Sequence, residues 1–143
     1  MHLRRLTGVA DTEALGREIA DRLQPGDAVL LYGPLGAGKT VLARALLRHL
    51  AQDGAMEVPS PSYTLVQSYE TRLGPVHHLD LWRLDGPGAL PELGWDEARG
   101  DIVLVEWPDR LGALRPEEAL SVVLALGENE ERRAELSGWE DRF

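Results

Sequence analysis

Cysteine is absent from this 143-residue chain, and lysine occurs once. Without cysteine there is no disulfide, no thiolate metal site and no thiol nucleophile, a composition that fits a reducing compartment. Basic patches are also missing. The formal net charge is −9 and the sequence pI about 4.9, so the basic stripe that gripping a nucleic-acid backbone requires is not there. Any RNA is expected to be reached indirectly, through a partner. No apolar run approaches the roughly 20 residues of a membrane span, and Met1-His2-Leu3-Arg4-Arg5-Leu6 lacks the apolar stretch of a signal peptide. The expectation is a soluble cytoplasmic protein with no membrane contact. Two methionines and heavy use of arginine fit either genome composition or heat adaptation. At 43% hydrophobic residues, residues 1–143 are expected to form a single domain with its own core.

The one lysine, Lys39, falls within Gly33-Pro34-Leu35-Gly36-Ala37-Gly38-Lys39-Thr40, a full match to the phosphate-binding pattern G-x-x-x-x-G-K-[ST]. Everywhere else the chain uses arginine for positive charge. An ammonium is a compact point charge on a flexible stem that reaches between phosphate oxygens, whereas a guanidinium is a wide planar fork. With this composition the spacing would arise by chance in roughly one chain in a thousand. Gly33, Gly36, Ala37 and Gly38 let the backbone wrap closely enough to point N–H groups at phosphate oxygens. Lys39 is expected along the β and γ phosphates, and the Thr40 hydroxyl on Mg2+.

The flanking pattern suits that loop. Ala28-Val29-Leu30-Leu31-Tyr32 is a continuous apolar run, as in a parallel strand covered on both faces. Leu42, Ala45, Leu46 and Leu50 mark an amphipathic helix ending near Asp53-Gly54 with a left-handed glycine cap. Before the strand, Leu15, Ile19 and Leu23 line one face of a helix capped by Asp11 or Thr12 and stopped by Gln24-Pro25-Gly26. Prolines forbid helix from Val58 to Ser62. Tyr63 to Glu70 and Val76 to Leu81 then read as a hairpin turned at Arg72-Leu73-Gly74-Pro75. Asp85 to Pro91 reads as a glycine and proline loop, Trp95 to Arg99 as a short helix and Asp101 to Glu106 as a buried strand. Ser121 to Leu126 and Arg132 to Ser137 form a C-terminal β-hairpin across Gly127-Glu128-Asn129-Glu130. The fold class is α/β: a P-loop NTPase fold with a mixed, mostly parallel central sheet flanked by helices.

A P-loop needs an acid at the end of a neighbouring strand to hold the metal or its waters. Glu106 emerges at the carboxyl end of Ile102-Val103-Leu104-Val105-Glu106, where ligands bind in open α/β sheets. Asp80, ending Val76-His77-His78-Leu79-Asp80, is a second carboxylate. It could hold a metal water, orient the attacking water, pair with Arg83 or cap a turn. His77 and His78 are adjacent and face opposite sides of a strand, so they read as packing or hydrogen-bonding residues. Ser60-Pro61-Ser62-Tyr63-Thr64 places three aliphatic hydroxyls on a stiffened loop, which reads either as one that senses a γ-phosphate or as an ordinary hydroxyl-rich turn. Trp107 could cover a nucleotide or a partner surface, although a tryptophan there is more often core filler. An Asn-Lys-x-Asp motif is impossible with one lysine, so adenine is the expected base. No arginine is visibly placed as a finger, so hydrolysis by the chain alone is expected to be slow.

The P-loop, Ser60-Pro61-Ser62-Tyr63-Thr64-Leu65-Val66, His78-Leu79-Asp80-Leu81-Trp82-Arg83 and Leu104-Val105-Glu106-Trp107 together resemble the bacterial TsaE (YjeE) family. The motifs stand in the family's order and span the chain from the P-loop to Trp107. The resemblance implies a small ATPase needed to make threonylcarbamoyladenosine (t6A) in tRNAs that read codons beginning with A. It implies an accessory subunit beside TsaB and TsaD rather than the transferase, one whose ATP hydrolysis resets the complex. By motif position, Thr40 and Glu106 would hold Mg2+, Lys39 and the loop would hold ATP phosphates, and Asp80 would support hydrolysis. Ser60 to Thr64 would be the mobile loop, Trp107 would lie beside the site, and Thr12 and Arg132 would approach the nucleotide from outside the P-loop. The chain has Ser-Pro-Ser where the family usually has Ser-Pro-Thr, which keeps a hydroxyl. It has Asp-Leu-Trp-Arg for Asp-Leu-Tyr-Arg, so a role of that phenol does not carry over to Trp82. Two other readings share the P-loop: a small-molecule kinase, for which Arg110 and Arg115 make a poor lid, and a nucleotide-dependent assembly module without catalysis.

Overall fold

The strand that enters the P-loop, β2 (Ala28–Tyr32), lies at the middle of a seven-stranded sheet. In this computed structural model, which describes residues 1–129 and 131–143, the sheet order is β1-β7-β6-β2-β5-β4-β3. The other strands are β1 (His2–Leu6), β3 (Val66–Thr71), β4 (Gly74–Asp80), β5 (Ile102–Glu106), β6 (Ala119–Leu126) and β7 (Arg132–Ser137). β2 pairs in parallel with both β5 and β6, and β5 pairs in parallel with β4. The outer pairings, β3 with β4, β6 with β7 and β7 with β1, are antiparallel. Five of the seven strands therefore point the same way, and the sheet is mixed but mostly parallel.

Both faces of the central strands are covered, which is why they read as unbroken apolar runs. Alternate residues of β2 go to opposite layers: Val29 and Leu31 join a core with α1 (Val9–Arg22) and α2 (Lys39–Ala51), while Ala28 and Leu30 join a second core. That second core contains Leu90, Trp95 and Leu111, from the 3₁₀ segments Pro87–Leu93 and Pro108–Leu114 and from the one-turn helix α3 (Trp95–Ala98). The two long helices approach closely at Gly16, where a Cβ would lie 2.6 Å from the Leu42 carbonyl oxygen. Only glycine fits that contact.

Several element boundaries depart from the sequence reading. The first helix starts at Val9 with Gly8 as its cap, not at Asp11 or Thr12. Asp11 instead sits inside the first turn and accepts hydrogen bonds from the amide (2.9 Å) and hydroxyl (2.7 Å) of Thr7, the residue before the cap. Those bonds hold its carboxyl below the ordinary 3.8. α2 ends at Ala51, and the left-handed cap is Gln52 (φ 56°) rather than Gly54. The hairpin turn tightens to Arg72-Leu73, and Pro75 enters β4. The segment read as a loop from Asp85 contains a 3₁₀ turn. β1, with two arginines among its five residues, was not foreseen; pairing with β7 makes it a strand. Of the turn expected at residues 127–130, residue 130 lies outside the described residues.

Candidate functional site

Strand register sets the site. His78 and Asp80 lie on the face of β4 that packs under α2, together with Val76, and Leu104 and Glu106 lie on the same face of β5. Asp80 stands directly opposite Glu106. Above them α2 begins at Lys39, with Gly38 (φ 107°) as its left-handed cap. The first two side chains of the helix, Lys39 and Thr40, thus hang over two strand-end carboxylates.

Glu106 is 2% exposed and Asp80 5%. Glu106 Oε1 lies 3.4 Å from the Thr40 hydroxyl, and its Oε2 lies 2.7 Å from His78 Nε2. Asp80 accepts hydrogen bonds from the Ser62 hydroxyl (3.1 Å) and the Trp82 amide (3.2 Å), so it caps the turn after β4 and makes no pair with Arg83. Burial pushes the Asp80 carboxyl above 3.8, and the facing Glu106 adds to this, while the bonds from Trp82 and Ser62 and the nearby His78 oppose it. Lys39 donates to the carbonyls of Gly33 and Pro34, the latter at 3.1 Å. Burial holds its ammonium below the ordinary 10.5, against the pull of Glu106, Asp80 and Asp109.

These groups share a cavity of about 470 Å³ bounded by the P-loop, residues 60–63 and the ends of β4 and β5. Gly36, Gly38, Lys39, Thr40, Asp80 and Glu106 line it. Gly33 stands behind the lining and offers its carbonyl to Lys39. Ala37 packs its methyl into the core and donates its amide to the Pro34 carbonyl at 3.2 Å. Arg132 reaches the outside of the loop, its Nε 3.3 Å from the Gly36 carbonyl. Thr12 touches the loop too, its methyl 3.4 Å from where a Cβ on Gly38 would be. Ser60 and Ser62 face the cavity and bond each other at 2.8 Å, whereas Thr64 turns to Gln67. Arg83 ties this segment to the end of β4 by donating to the carbonyls of Ser62 (2.8 Å) and Tyr63 (2.6 Å).

Two residues need the tertiary structure to be placed. Trp107 packs against the second core and also lines the cavity. It turns the chain sharply after β5 in a left-handed conformation (φ 57°, ψ 53°), which costs a bulky residue about 1 kcal/mol. That turn puts its ring 4.6 Å from Lys39 Nζ. His78 is a hydrogen-bonding residue, one of the two readings the sequence left open, and the partner the sequence did not name is the strand-end acid Glu106; its place two residues before Asp80, hence on the same face, was the available signal. His77 bonds Ser68 and Asp101 on the far side, as adjacency on a strand demands.

A buried apolar strand running into Gly33–Thr40, a helix starting on the lysine and an acid ending the neighbouring parallel strand define a P-loop protein. The family model described as "Threonylcarbamoyl adenosine biosynthesis protein TsaE" matches residues 6–134, and the chain belongs to the TsaE family. Among its relatives is the tRNA threonylcarbamoyladenosine biosynthesis protein TsaE of Rickettsia felis, 38% identical over 105 residues, 73% of this chain and 61% of that protein. The match thus spans less than two thirds of that relative's length. The Aquifex aeolicus protein of the same description is 40% identical over 101 residues, 70% of this chain and 71% of that one. The crystal structure of Bacillus subtilis YdiB superposes with a TM-score of 0.80 at 26% identity, covering 99% of this chain and 88% of that one. Among the described residues no helix is long and apolar enough to cross a membrane.

Proposed function

We propose that this protein is an Mg2+-dependent ATPase that supports t6A formation in tRNA as the accessory subunit of a complex with the TsaB and TsaD proteins. The observation that carries this reading is the convergence of Lys39, Thr40, Asp80 and Glu106 on one cavity. The loop amides of Gly36, Gly38, Lys39 and Thr40 and the Lys39 ammonium would hold ATP phosphates, aided by the positive end of α2. Arg132 and Thr12 brace the loop from outside.

The donor set suits Mg2+. Thr40 and Glu106 offer two hard oxygens 3.4 Å apart, and among the described residues no three His, Cys, Asp or Glu side chains converge into a full protein cage. Mg2+ prefers this arrangement, since it retains waters and phosphates as its other ligands. Bound there, it would neutralise charge on the transferring phosphoryl group. Asp80, with its proton affinity raised by burial, is suited to orient the attacking water and accept its proton. Among the described residues no arginine lines the cavity. A supplied arginine contributes on the order of 10³ to 10⁵ in such reactions, so turnover is slow alone and partner-dependent, in keeping with a role in resetting the complex.

The test measures ATP turnover with and without TsaB and TsaD, and t6A formation in the reconstituted system. The expected result is a rate that rises with the partners and is lost in Lys39→Ala and Glu106→Ala. An unchanged rate, with both variants supporting full tRNA modification, overturns the reading. Transfer of phosphate to a small acceptor would instead identify a kinase.

A further inference from the structure

Glu106 has two oxygens with different neighbours. Oε1 faces the Thr40 hydroxyl and the cavity, whereas Oε2 points back into the sheet at His78 Nε2, 2.7 Å away. We infer that His78 is a positioning residue: by holding Oε2 it turns Oε1 of Glu106 toward the metal side of the cavity. This deepens the proposed function and rests on Glu106 facing Mg2+.

The fold makes His78 fit for this task. It is opposite Leu104 in the β4–β5 register, so Glu106, two residues on, is its diagonal neighbour on the same face. The ring is fully buried, and burying an imidazole is unfavourable unless it has a polar partner. Its Nδ1 has none among the described residues, so the whole polar function of the side chain is directed at one carboxylate oxygen. Since a carboxylate accepts, the hydrogen sits on Nε2. A glutamate carboxylate otherwise rotates about a broad terminal torsion, and a charge-assisted bond of this length restrains it. Asp80, directly across from Glu106, makes the restraint matter more. Like charges on facing strands repel, and an unpinned Glu106 would swing away from Asp80 and from Thr40 together. Partners that orient a ligating group typically change metal affinity by 10- to 100-fold.

The experiment measures affinity for a non-hydrolysed ATP analogue, β,γ-imido-ATP, by calorimetry in Mg2+ and again in EDTA. Wild-type protein is expected to bind more tightly with Mg2+. His78→Leu is expected to lose about 10- to 100-fold in the Mg2+ measurement and to stay within about twofold in EDTA. His78→Gln, whose amide nitrogen can take the place of Nε2, should recover most of the loss. Equal weakening in both conditions, or no recovery with glutamine, marks a purely structural histidine and overturns the inference. If wild type responds to Mg2+ and His78→Leu responds equally, this inference alone falls. If wild type shows no Mg2+ response, the reading of Glu106 falls with it. Should His78→Leu not fold, nitrogen NMR of wild-type protein decides: a hydrogen on His78 Nε2 is expected, and an Nε2 without one, the hydrogen being on Nδ1 alone, overturns the assignment.

Discussion

Replacing Asp80 by asparagine should make the protein more stable and less active. The carboxylate is 5% exposed and stands opposite Glu106, so the sheet holds two acids where it would be more stable with one. Asparagine keeps the shape and both hydrogen bonds: its Oδ1 can accept the Trp82 amide, and its Nδ2 can donate to the Ser62 hydroxyl, which turns from donor to acceptor. A like-charge pair on facing strands contributes roughly 0.2–1 kcal/mol, and relief of burial acts in the same direction, giving a gain of about 1 kcal/mol. For a domain of this size that is about 2–4 °C in Tm. The pH dependence gives the sharper criterion. The folded-state pKa of Asp80 lies above its ordinary 3.8, so between the two values the folded state binds more protons than the unfolded state. Stability conferred at this site therefore falls as pH rises through that window. Wild type carries the full penalty above the folded pKa and none below 3.8; the variant never carries it. Urea unfolding of both proteins from pH 4 to 8 should show the asparagine advantage at neutral pH shrinking on acidification. ATP turnover in the partner complex should meanwhile fall by about 10²-fold or more. An asparagine variant that is less stable at pH 7, or an advantage independent of pH, refutes the account of Asp80 as a destabilising buried charge.

Two further outcomes follow from the site and the core. An amine-acylating reagent has only Lys39 and the α-amino group to modify, so peptide mass spectrometry should find Lys39 labelled in free protein and protected by ATP; equal labelling in both would place the phosphates elsewhere. Gly16→Ala should destabilise by about 1–3 kcal/mol in urea unfolding, because the new methyl would meet the Leu42 carbonyl at 2.6 Å, and an unchanged midpoint would mean that the α1–α2 contact yields without strain.

The elements legible in the sequence are those whose local pattern and tertiary setting agree. β2 and β5 up to Val105 read as apolar runs because both their faces are covered, and α2 carries its stripe because one face is. Lys39, Thr40, Asp80 and Glu106 were readable as candidates because a P-loop pattern calls for such types at strand ends and helix starts, and the fold brings them to one cavity. β1 was hidden, since Arg4 and Arg5 lie on an edge strand whose conformation comes from β7, more than a hundred residues away. The capping role expected of Asp11 or Thr12 falls instead to Gly8, where the residue has no side chain to announce a cap. Trp107 and His78 were underread for a common reason. What each does depends on a partner brought across from another strand or from the P-loop: spacing along the chain puts His78 on the face of Asp80, but it does not name Glu106 or Lys39 as the partner.

The order of the strands also has a consequence for synthesis. The phosphate loop grows out of β2, but both neighbours of β2, β5 and β6, come from residues 102–126. A nascent chain that has already displayed the whole G-x-x-x-x-G-K-T segment therefore has no sheet centre to hang it on. Pairings this distant in sequence close slowly. Nucleotide capture should thus appear late and all at once during translation, and a ribosome stalled before β6 has emerged would present a loop with the right letters and no grip.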